Sequence, residues 1–333
     1  MKIYDLNNYP LSDRNGTYGG NSGDKESIVI GNDYWIVKYP KSAKRLRDVK
    51  NMSYSTTPES EYIGSHIYEI LGYDVHKTIL GIRNNHVVVA CKDFCEGNKK
   101  LIEFRQLKNT YNKTLNEKLD ESFTSTGSEH FVMLNEIMLH LQYNPSLQNV
   151  EGLKERFWDC LIIDGLINNN DRNNGNWGIL RDKSGDVLAP VFDNGAAFSP
   201  NVPEERIVKR LSDENVFNQY VNDCKTAYSL DGEHNATFKE ILSLDIPELK
   251  QAVKRTVPLI KAKVNEIGNM INEIPERVKD FNIISKERKS EYFKEIDFKF
   301  SSLLFPYYEK LITEEKQISL KNKTQNDDYD RGR

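Results

Sequence analysis

The sequence predicts an α+β protein of two lobes, a β-rich N-terminal lobe followed by an α-helical C-terminal lobe. The chain has 333 residues and 38% hydrophobic content, enough for roughly two cores. Short β-like segments fill residues 1–98, whereas from residue 129 to 315 apolar residues recur three and four positions apart, as in helices. The polar stretch 99–128 is expected to be a hinge with a linker or surface insertion. The charged stretch 316–333 is expected to be a disordered tail.

Composition and charge exclude several classes of protein. The 46 basic and 50 acidic residues give a net charge of -4, so no overall positive field favours direct nucleic-acid binding. The four cysteines have no Cys-x-x-Cys spacing and the six histidines are scattered, which indicates neither a zinc site nor a disulfide framework. The chain starts without an apolar signal core and has no run near the ~20 apolar residues of a membrane span. We therefore expect a cytoplasmic protein without a membrane partner.

The N-terminal lobe is expected to contain a glycine-rich loop, four strands and one helix. The loop is "GTYGGNSG", residues 16–23. The helix is predicted from the caps, with Thr57 as N-cap, Pro58 at the first helical position and Gly72 as the stop. The strands are predicted at 27–30, 34–39, 78–82 and 86–91.

The C-terminal lobe is predicted to be built from helices that surround one buried helix. Helical periodicity covers residues 131–141, 153–167, 246–274 and 291–314. The segment 153–167 is apolar on nearly all sides, which is typical of a core helix. We expect it to support the loop that follows it.

That loop, in "LINNNDRNNGNWGIL" at residues 166–180, is the strongest candidate for a functional site. Two apolar runs follow it, joined by a turn at Ser184-Gly185, and such a hairpin sets Asn176 opposite about residue 192, next to Asp193. A carboxylate and a carboxamide provide the oxygen ligands that Mg²⁺ prefers. Asp171, five residues before Asn176, is close enough to serve a hydroxyl beside that metal. A solvated Asn-rich turn before an ordinary hairpin is the alternative interpretation.

The spacing Asp-x-x-x-x-Asn, followed by a strand-borne Asp, is the pattern that protein kinases use for phosphoryl transfer. In that pattern Asp171 accepts the proton of the substrate hydroxyl and Asn176 holds one metal ion. Asp193 holds the metal ions that bridge the phosphates of the nucleotide.

A kinase also needs a loop over the phosphates, a cation that binds them and a carboxylate that holds this cation. The glycine-rich loop matches neither the P-loop nor the dinucleotide-binding pattern. Lys38 lies in a predicted strand, where an interior lysine is costly unless it is paired; an edge-strand lysine that reaches solvent is the alternative. Glu61 lies on the helical face opposite the apolar stripe, and Glu59 is the competitor for the same role.

Five blocks in a fixed order make the chain resemble a known family. They are "YGGNSGDKESIVIGNDYWIVKYP", "SEYIGSHIYEILGYDVHKTILG", "VVVACKDF", "INNNDRNNGNWG" and "LAPVFDNGAAF". Together they resemble the HipA-like kinases, and most of all their short CtkA-type members, over roughly residues 16 to 200. The resemblance implies a bilobal protein-kinase-like fold and ATP- and Mg²⁺-dependent phosphorylation of serine or threonine hydroxyls in a protein substrate.

The resemblance also assigns roles to individual residues. It implies Lys38 as the phosphate-binding lysine and Glu61, rather than Glu59, as its partner. It implies nucleotide contacts from the loop and from the strand that leads to the hinge: Gly19, Gly20, Ser22, Gly23, Lys25, Cys91, Lys92, Asp93 and Phe94. Ser22 is expected to be autophosphorylated, with Thr17, Tyr18, Ser199 and Ser212 as competing acceptors; the alternative is that Ser22 is small and polar only to permit the turn.

One departure from the family limits what the resemblance implies about partners. HipA has an extra N-terminal subdomain before the glycine-rich loop, whereas here the loop begins at Gly16. An antitoxin-type partner, operator DNA binding and an aminoacyl-tRNA synthetase substrate are therefore left open rather than implied. Two other functions also remain open: a small-molecule phosphotransferase, which can use the same metal chemistry, and a pseudokinase, which is expected to lack a lysine or a metal ligand.

Overall fold

A computed structural model describes residues 1–15, 25–42, 53–95, 97–122 and 131–331, with side chains to residue 319. The described part has a β-rich N-terminal lobe and a mainly helical C-terminal lobe, which confirms the predicted α+β class. None of its helices is long and apolar enough to cross a membrane.

The N-terminal lobe is built on a five-stranded sheet. Its strands are β1 (Tyr4–Asp5), β2 (Lys25–Ile30), β3 (Asp33–Lys38), β4 (Thr78–Arg83) and β5 (His86–Lys92). They lie in the order β1-β4-β5-β3-β2, and all neighbours are antiparallel except β1 and β4. Because β3 lies between β5 and β2, Lys38 at its end is not on an edge strand.

Helix α1 (Thr57–Ile70) packs against this sheet and is buried along most of its length. Its N-cap is Thr56, not Thr57 as predicted, and Pro58 lies in the first turn. The hydroxyl of Thr57 instead contacts the Ser55 hydroxyl at 2.6 Å. Gly72 follows the helix with a positive φ of 86°, as a stop residue should.

The segment predicted to be a hinge with a linker is partly regular in structure. It forms β6 (Lys100–Glu103), α2 (Phe104–Leu107) and α3 (Lys113–Ser122). Strand β6 pairs with β8 (Gly178–Asp182), which itself forms a hairpin with β9 (Gly185–Leu188). Helix α3 was not predicted because Leu115 is the buried residue on it, which leaves no apolar stripe to mark a helix.

The C-terminal lobe surrounds helix α6 (Leu153–Leu166), which is almost fully buried, as predicted. The predicted helix at 131–141 begins only at residue 134, because residues 132–133 pair with a strand of a small sheet. The remaining elements to residue 273 are β7 (Val132–Met133), α4 (Leu134–Tyr143), α5 (Pro145–Gln148), α7 (Glu204–Ser212), α8 (Glu214–Asp223), β10 (Lys225–Ser229), β11 (Asn235–Thr237), α9 (Phe238–Leu242) and α10 (Pro247–Glu273).

The last part of the chain differs most from the prediction. A two-stranded ribbon of β12 (Arg277–Val278) and β13 (Phe281–Asn282) precedes α11 (Lys286–Lys299), a π-helical turn (Phe300–Leu304) and α12 (Phe305–Arg331). The single helix predicted at 291–314 is therefore two helices joined by a π turn. Residues 316–331 are helical where a disordered tail was predicted; this stretch contains three Lys and two Gln residues, which have good helix propensity.

Candidate active site

Lys38 lies at the junction of the two lobes and contacts two carboxylates. Its Nζ is 2.8 Å from Glu61 Oε2 and 2.9 Å from Asp193 Oδ1. Burial opposes the charge of the lysine, but the attraction of Asp193 and Glu61 outweighs it, so the pKa of Lys38 is raised well above its ordinary value. The lysine is therefore a largely buried cation that is paired with two carboxylates.

Glu61, and not Glu59, is the carboxylate beside Lys38. Glu61 is fully buried, and its Oε1 accepts the Asn194 backbone N–H at 2.8 Å and lies 2.9 Å from His76 Nε2. Burial would raise the pKa of Glu61, but Lys38 and His76 outweigh this effect and lower it. The carboxylate thus stays ionised in the interior.

Glu59 has a different environment. It is 4% exposed, its Oε2 has no hydrogen-bond partner, and burial raises its pKa to about 8 against a partial effect of Arg288. It precedes Glu61 by two positions along the helix, which turns the two side chains to different sides.

Two glycines let helix α1 approach the loop after β9. A Cβ added at Gly64 would lie 2.8 Å from Asn194 Cβ, and one added at Gly195 would lie 2.9 Å from Thr57 Cγ2. Both distances are shorter than real Cβ contacts, so only glycine permits this approach.

Asp171 is exposed on the loop after α6, and its neighbours orient it. The side-chain amide of Asn173 donates to Asp171 Oδ1 at 2.9 Å, and the backbone N–H of Asn173 donates to Asp171 O at 2.8 Å. The side chain of Asn176 donates its amide N–H to the same carbonyl. The asparagines of this loop therefore fix its backbone around Asp171.

Arg172 connects this loop to its surroundings, and the sequence did not single it out. It is 2% exposed and donates from Nε and Nη2 to the Asp164 carboxylate at 2.8 and 2.9 Å. Its other bonds reach Asn176 O, Phe192 O and Asn194 Oδ1. One guanidinium thus joins α6, the Asp171 loop and the loop of Asp193.

Asn176 and Asp193 could hold a metal ion. The β8–β9 ladder pairs Ile179 with Leu188, which places Asn176 opposite about Val191, one residue from the predicted register. Since the amide nitrogen of Asn176 is bonded to Asp171 O, its amide oxygen is the atom left for a cation. The Asp193 carboxylate is 40% exposed, and Lys38 lowers its pKa. One ionised carboxylate and one amide oxygen fit a hard cation such as Mg²⁺.

The predicted hinge residues lie at the edge of the same region. The backbone N–H groups of Lys92 and Asp93 donate to Lys77 O and Tyr34 O, so an adenine contact has to use other groups of the segment. The Asp93 carboxylate is paired with Arg14 at 2.8 Å. Phe94 lies with its ring centroid 5.5 Å from that of Phe192.

Gly19, Gly20, Ser22 and Gly23 lie outside the described residues, whereas Lys25 lies opposite Lys38 in the β2–β3 pair. Cys91 is buried, and burial raises the pKa of its thiol.

Ligand atoms of Cys91, Glu61 and His76 lie within 4.8 Å of one another, a spacing that would also suit a metal. Glu61 is already engaged by Lys38 and Asn194, and His76 Nε2 is 3.0 Å from the Ser65 hydroxyl. These contacts account for the cluster without an ion.

The chain is similar to known kinases in sequence and in fold. The chain is 32% identical over 282 residues to the serine/threonine-protein kinase CtkA of Helicobacter pylori, a match that covers 82% of each chain. The crystal structure of a H. pylori proinflammatory kinase CtkA superposes with a TM-score of 0.79 at 27% identity, over 94% of this chain and 98% of that one. A Shewanella oneidensis HipA–HipB–operator DNA complex matches with a TM-score of 0.48 at 13% identity, over 88% and 69%. No family model matches the chain.

The fold and its relatives define the class of protein as a protein kinase. Within that class, the chain belongs to the CtkA-type serine/threonine-protein kinases, the short HipA-like kinases that its sequence blocks resemble.

Proposed function

We propose that this kinase transfers the γ-phosphoryl group of ATP, with Mg²⁺, to serine or threonine hydroxyls of a protein substrate. The observation that carries the proposal is the position of Lys38, held at once by Glu61 on α1 and by Asp193 beside the Asp171 loop. This arrangement brings a cation, its anchoring carboxylate and a metal-type carboxylate to one place.

The residues of the site have separate roles in binding the nucleotide. Lys38 binds the α and β phosphates, and Glu61 holds the ammonium in position. Asn176 and Asp193 are the residues that would hold Mg²⁺, which supplies charge neutralisation at the phosphates when it is bound. Gly19, Gly20, Ser22, Gly23 and Lys25 are proposed to contact the phosphates, and Cys91, Lys92, Asp93 and Phe94 to border the adenine.

Asp171 is proposed to orient the acceptor hydroxyl and to accept its proton. Such general-base catalysis contributes about 10²- to 10⁴-fold to a rate. Asn173 keeps the carboxylate in place through its 2.9 Å hydrogen bond to Oδ1. The exposure of Asp171 supports a protein segment as acceptor, because a small-molecule phosphotransferase usually encloses its acceptor.

Regulation by autophosphorylation is part of the proposal. Phosphate on Ser22 would add roughly -1.5 to -2 charges next to the site that receives the nucleotide. Repulsion is then expected to weaken ATP binding. Mass spectrometry after incubation with Mg-ATP tests this point, and phosphate at Ser22 should be absent from Asp171→Asn.

The first experiment separates the roles of the two aspartates. Purified wild type, Asp171→Asn and Asp193→Ala are incubated with radiolabelled ATP and cell extract, and the binding of a non-hydrolysable ATP analogue with Mg²⁺ is measured by calorimetry. Both variants should lose phosphoryl transfer by at least about 10²-fold. Analogue binding should weaken only in Asp193→Ala, because Asp171 serves the acceptor and not the nucleotide.

Asp182→Asn is the matched control, since Asp182 lies at the end of β8 and bonds to Ser184 in the turn. It should retain both activities. Equal loss of analogue binding in Asp171→Asn and Asp193→Ala would refute the assignment of roles, and transfer by Asp171→Asn at the wild-type rate would refute the proposed base.

A further inference from the structure

Asn194, the residue after Asp193, is a buried connection between three parts of the active site. It is fully buried, and its backbone N–H donates to Glu61 Oε1 at 2.8 Å. Its side-chain amide N–H donates to the Ser65 hydroxyl at 3.0 Å, and its amide oxygen accepts from Arg172 Nη2 at 2.6 Å. One residue thus bonds to helix α1 twice and to the Asp171 loop once.

The partners of Asn194 are themselves fixed. Ser65 lies one turn after Glu61 on α1, and both are in contact with His76 Nε2, at 3.0 and 2.9 Å. The backbone N–H of His76 donates to Val191 O, which returns the network to the chain just before Asp193. Helix α1 is therefore bonded to the 191–194 segment directly through Glu61 and Ser65 and indirectly through His76.

The position of Asp193 depends on this network. Asp193 has a positive φ of 60°, a conformation that costs energy for a residue other than glycine. Its neighbours on either side are held, Phe192 O by Arg172 and Asn194 by Ser65 and Arg172. Lys38 contacts the carboxylate of Asp193, and these neighbouring bonds restrain its backbone.

We infer that Asn194 is a positioning residue that aligns Asp193 for Mg²⁺ by bonding its loop to helix α1 and to Arg172. The inference rests on the proposed role of Asp193. It extends that role to a residue that contacts neither nucleotide nor acceptor. Because the same bonds join α1 to the loop, a shift of α1 is expected to move Asp193 as well.

The test measures the Mg²⁺ concentration at half-maximal effect, because a smaller fraction of folded protein lowers the amplitude of the response but does not move this midpoint. Full-length wild type, Asn194→Ala and Ser65→Ala are titrated with magnesium chloride at a fixed concentration of a non-hydrolysable ATP analogue. The Mg²⁺ concentration for half-maximal binding is determined by calorimetry, and that for half-maximal phosphoryl transfer is determined in parallel. A thermal melt of each variant reports its stability.

Asn194→Ala removes two hydrogen bonds, one of them to a charged group, and should raise both Mg²⁺ midpoints by on the order of tenfold or more. Ser65→Ala removes the hydrogen bond from the Asn194 amide and the contact with His76 Nε2, but leaves the bond between Asn194 and Arg172, and should raise them by roughly fivefold or less. Asn144→Ala is the control, because Asn144 is equally buried and bonded, to Leu107 O and Ser146 N, but lies in the C-terminal lobe away from the site. It should lower the melting temperature and leave the midpoints unchanged.

Unchanged midpoints in Asn194→Ala, or an equal shift in Asn144→Ala, overturn the inference while the proposed function stands. Binding and transfer by the wild type without any response to Mg²⁺ overturn both. If Asn194→Ala does not fold, Ser65→Ala decides: a raised midpoint supports the inference and an unchanged one overturns it.

Discussion

Lys38 shows how one residue type in an unusual place identifies a site. A lysine at the inner end of a central strand is expected to have a partner, and it has two, Glu61 and Asp193. Glu61 is itself fully buried, so removing Lys38 takes the main counter-charge away from a buried carboxylate.

This pairing leads to a prediction about activity. Lys38→Met and Glu61→Gln should each lower phosphoryl transfer by about a hundredfold, because each removes a charge that the transferred phosphates depend on. The double variant should be little worse than either single one, since the two residues act as a unit. Steady-state rates with radiolabelled ATP measure all three.

Glu59→Gln is the control for this series, because Glu59 lies on the same helix but does not contact Lys38. It should retain nearly full activity. Additive losses in the double variant, or a large loss in Glu59→Gln, would contradict the pairing.

At the scale of elements, helix α1 lies unusually close to the loop of Asp193. The approach depends on Gly64, where a methyl group would lie 2.8 Å from Asn194 Cβ. Gly64→Ala should favour the helix itself by about 1 kcal/mol. Overpacking against the loop should outweigh that gain at a cost of roughly 1–3 kcal/mol.

We therefore expect Gly64→Ala to lower both the free energy of unfolding and the rate of phosphoryl transfer, as measured by chemical denaturation and a kinase assay. The control is Ser60→Ala, one turn earlier on α1, which removes a buried hydroxyl without a partner. That change should leave stability unchanged or raised. A Gly64→Ala variant that is more stable than wild type and fully active would show that the close approach is dispensable.

Elements also show where sequence patterns stop being informative. The central helix α6 was predicted from its apolar run. The role of Asp164 on this helix as the partner of Arg172 was not predicted, because Arg172 lies eight residues later, beyond the end of the helix. Asn194 and His76 are equally ordinary in sequence, and only the fold brings them to Glu61. The π turn at 300–304 interrupts a pattern that reads as one continuous helix.

At the scale of the molecule, the sequence could single out Lys38, Asp171, Asn176 and Asp193 because each stands out within its own segment. The choice of Glu61 over Glu59 needed the family resemblance. The predicted register of the β8–β9 hairpin was wrong by one residue, because the exact position of the turn fixes the register and the sequence located the turn only approximately. The roles of the glycine-rich loop and of Ser22 stay predictions. The helical end of the chain could not be predicted from apolar periodicity, because residues 316–331 are mostly polar.

The stability of the whole molecule should depend on pH through Glu59. Its pKa is about 8 in the folded protein and near 4.5 when unfolded, so the folded state binds more protons between these values. Stability should therefore be unaffected by this group below about pH 4.5 and fall as pH rises towards 8. One pKa unit corresponds to about 1.4 kcal/mol, so the loss is expected to reach a few kcal/mol.

Glu59→Gln removes this titration. Denaturation with urea at pH 5 and pH 8 should show a gain in stability for the variant over wild type that is larger at pH 8. An equal difference at both pH values would mean that the carboxyl does not titrate in this range.

The ammonium of Lys38 lies between two carboxylates, and this arrangement bears on whether the protein needs a metal ion to fold. Two carboxylates that lie close together often need a bound metal ion between them, and proteins that depend on such an ion unfold when a chelator removes it. Here the chain carries its own counter-ion. We therefore expect this kinase to fold without divalent metal, so that a chelator leaves its melting temperature unchanged.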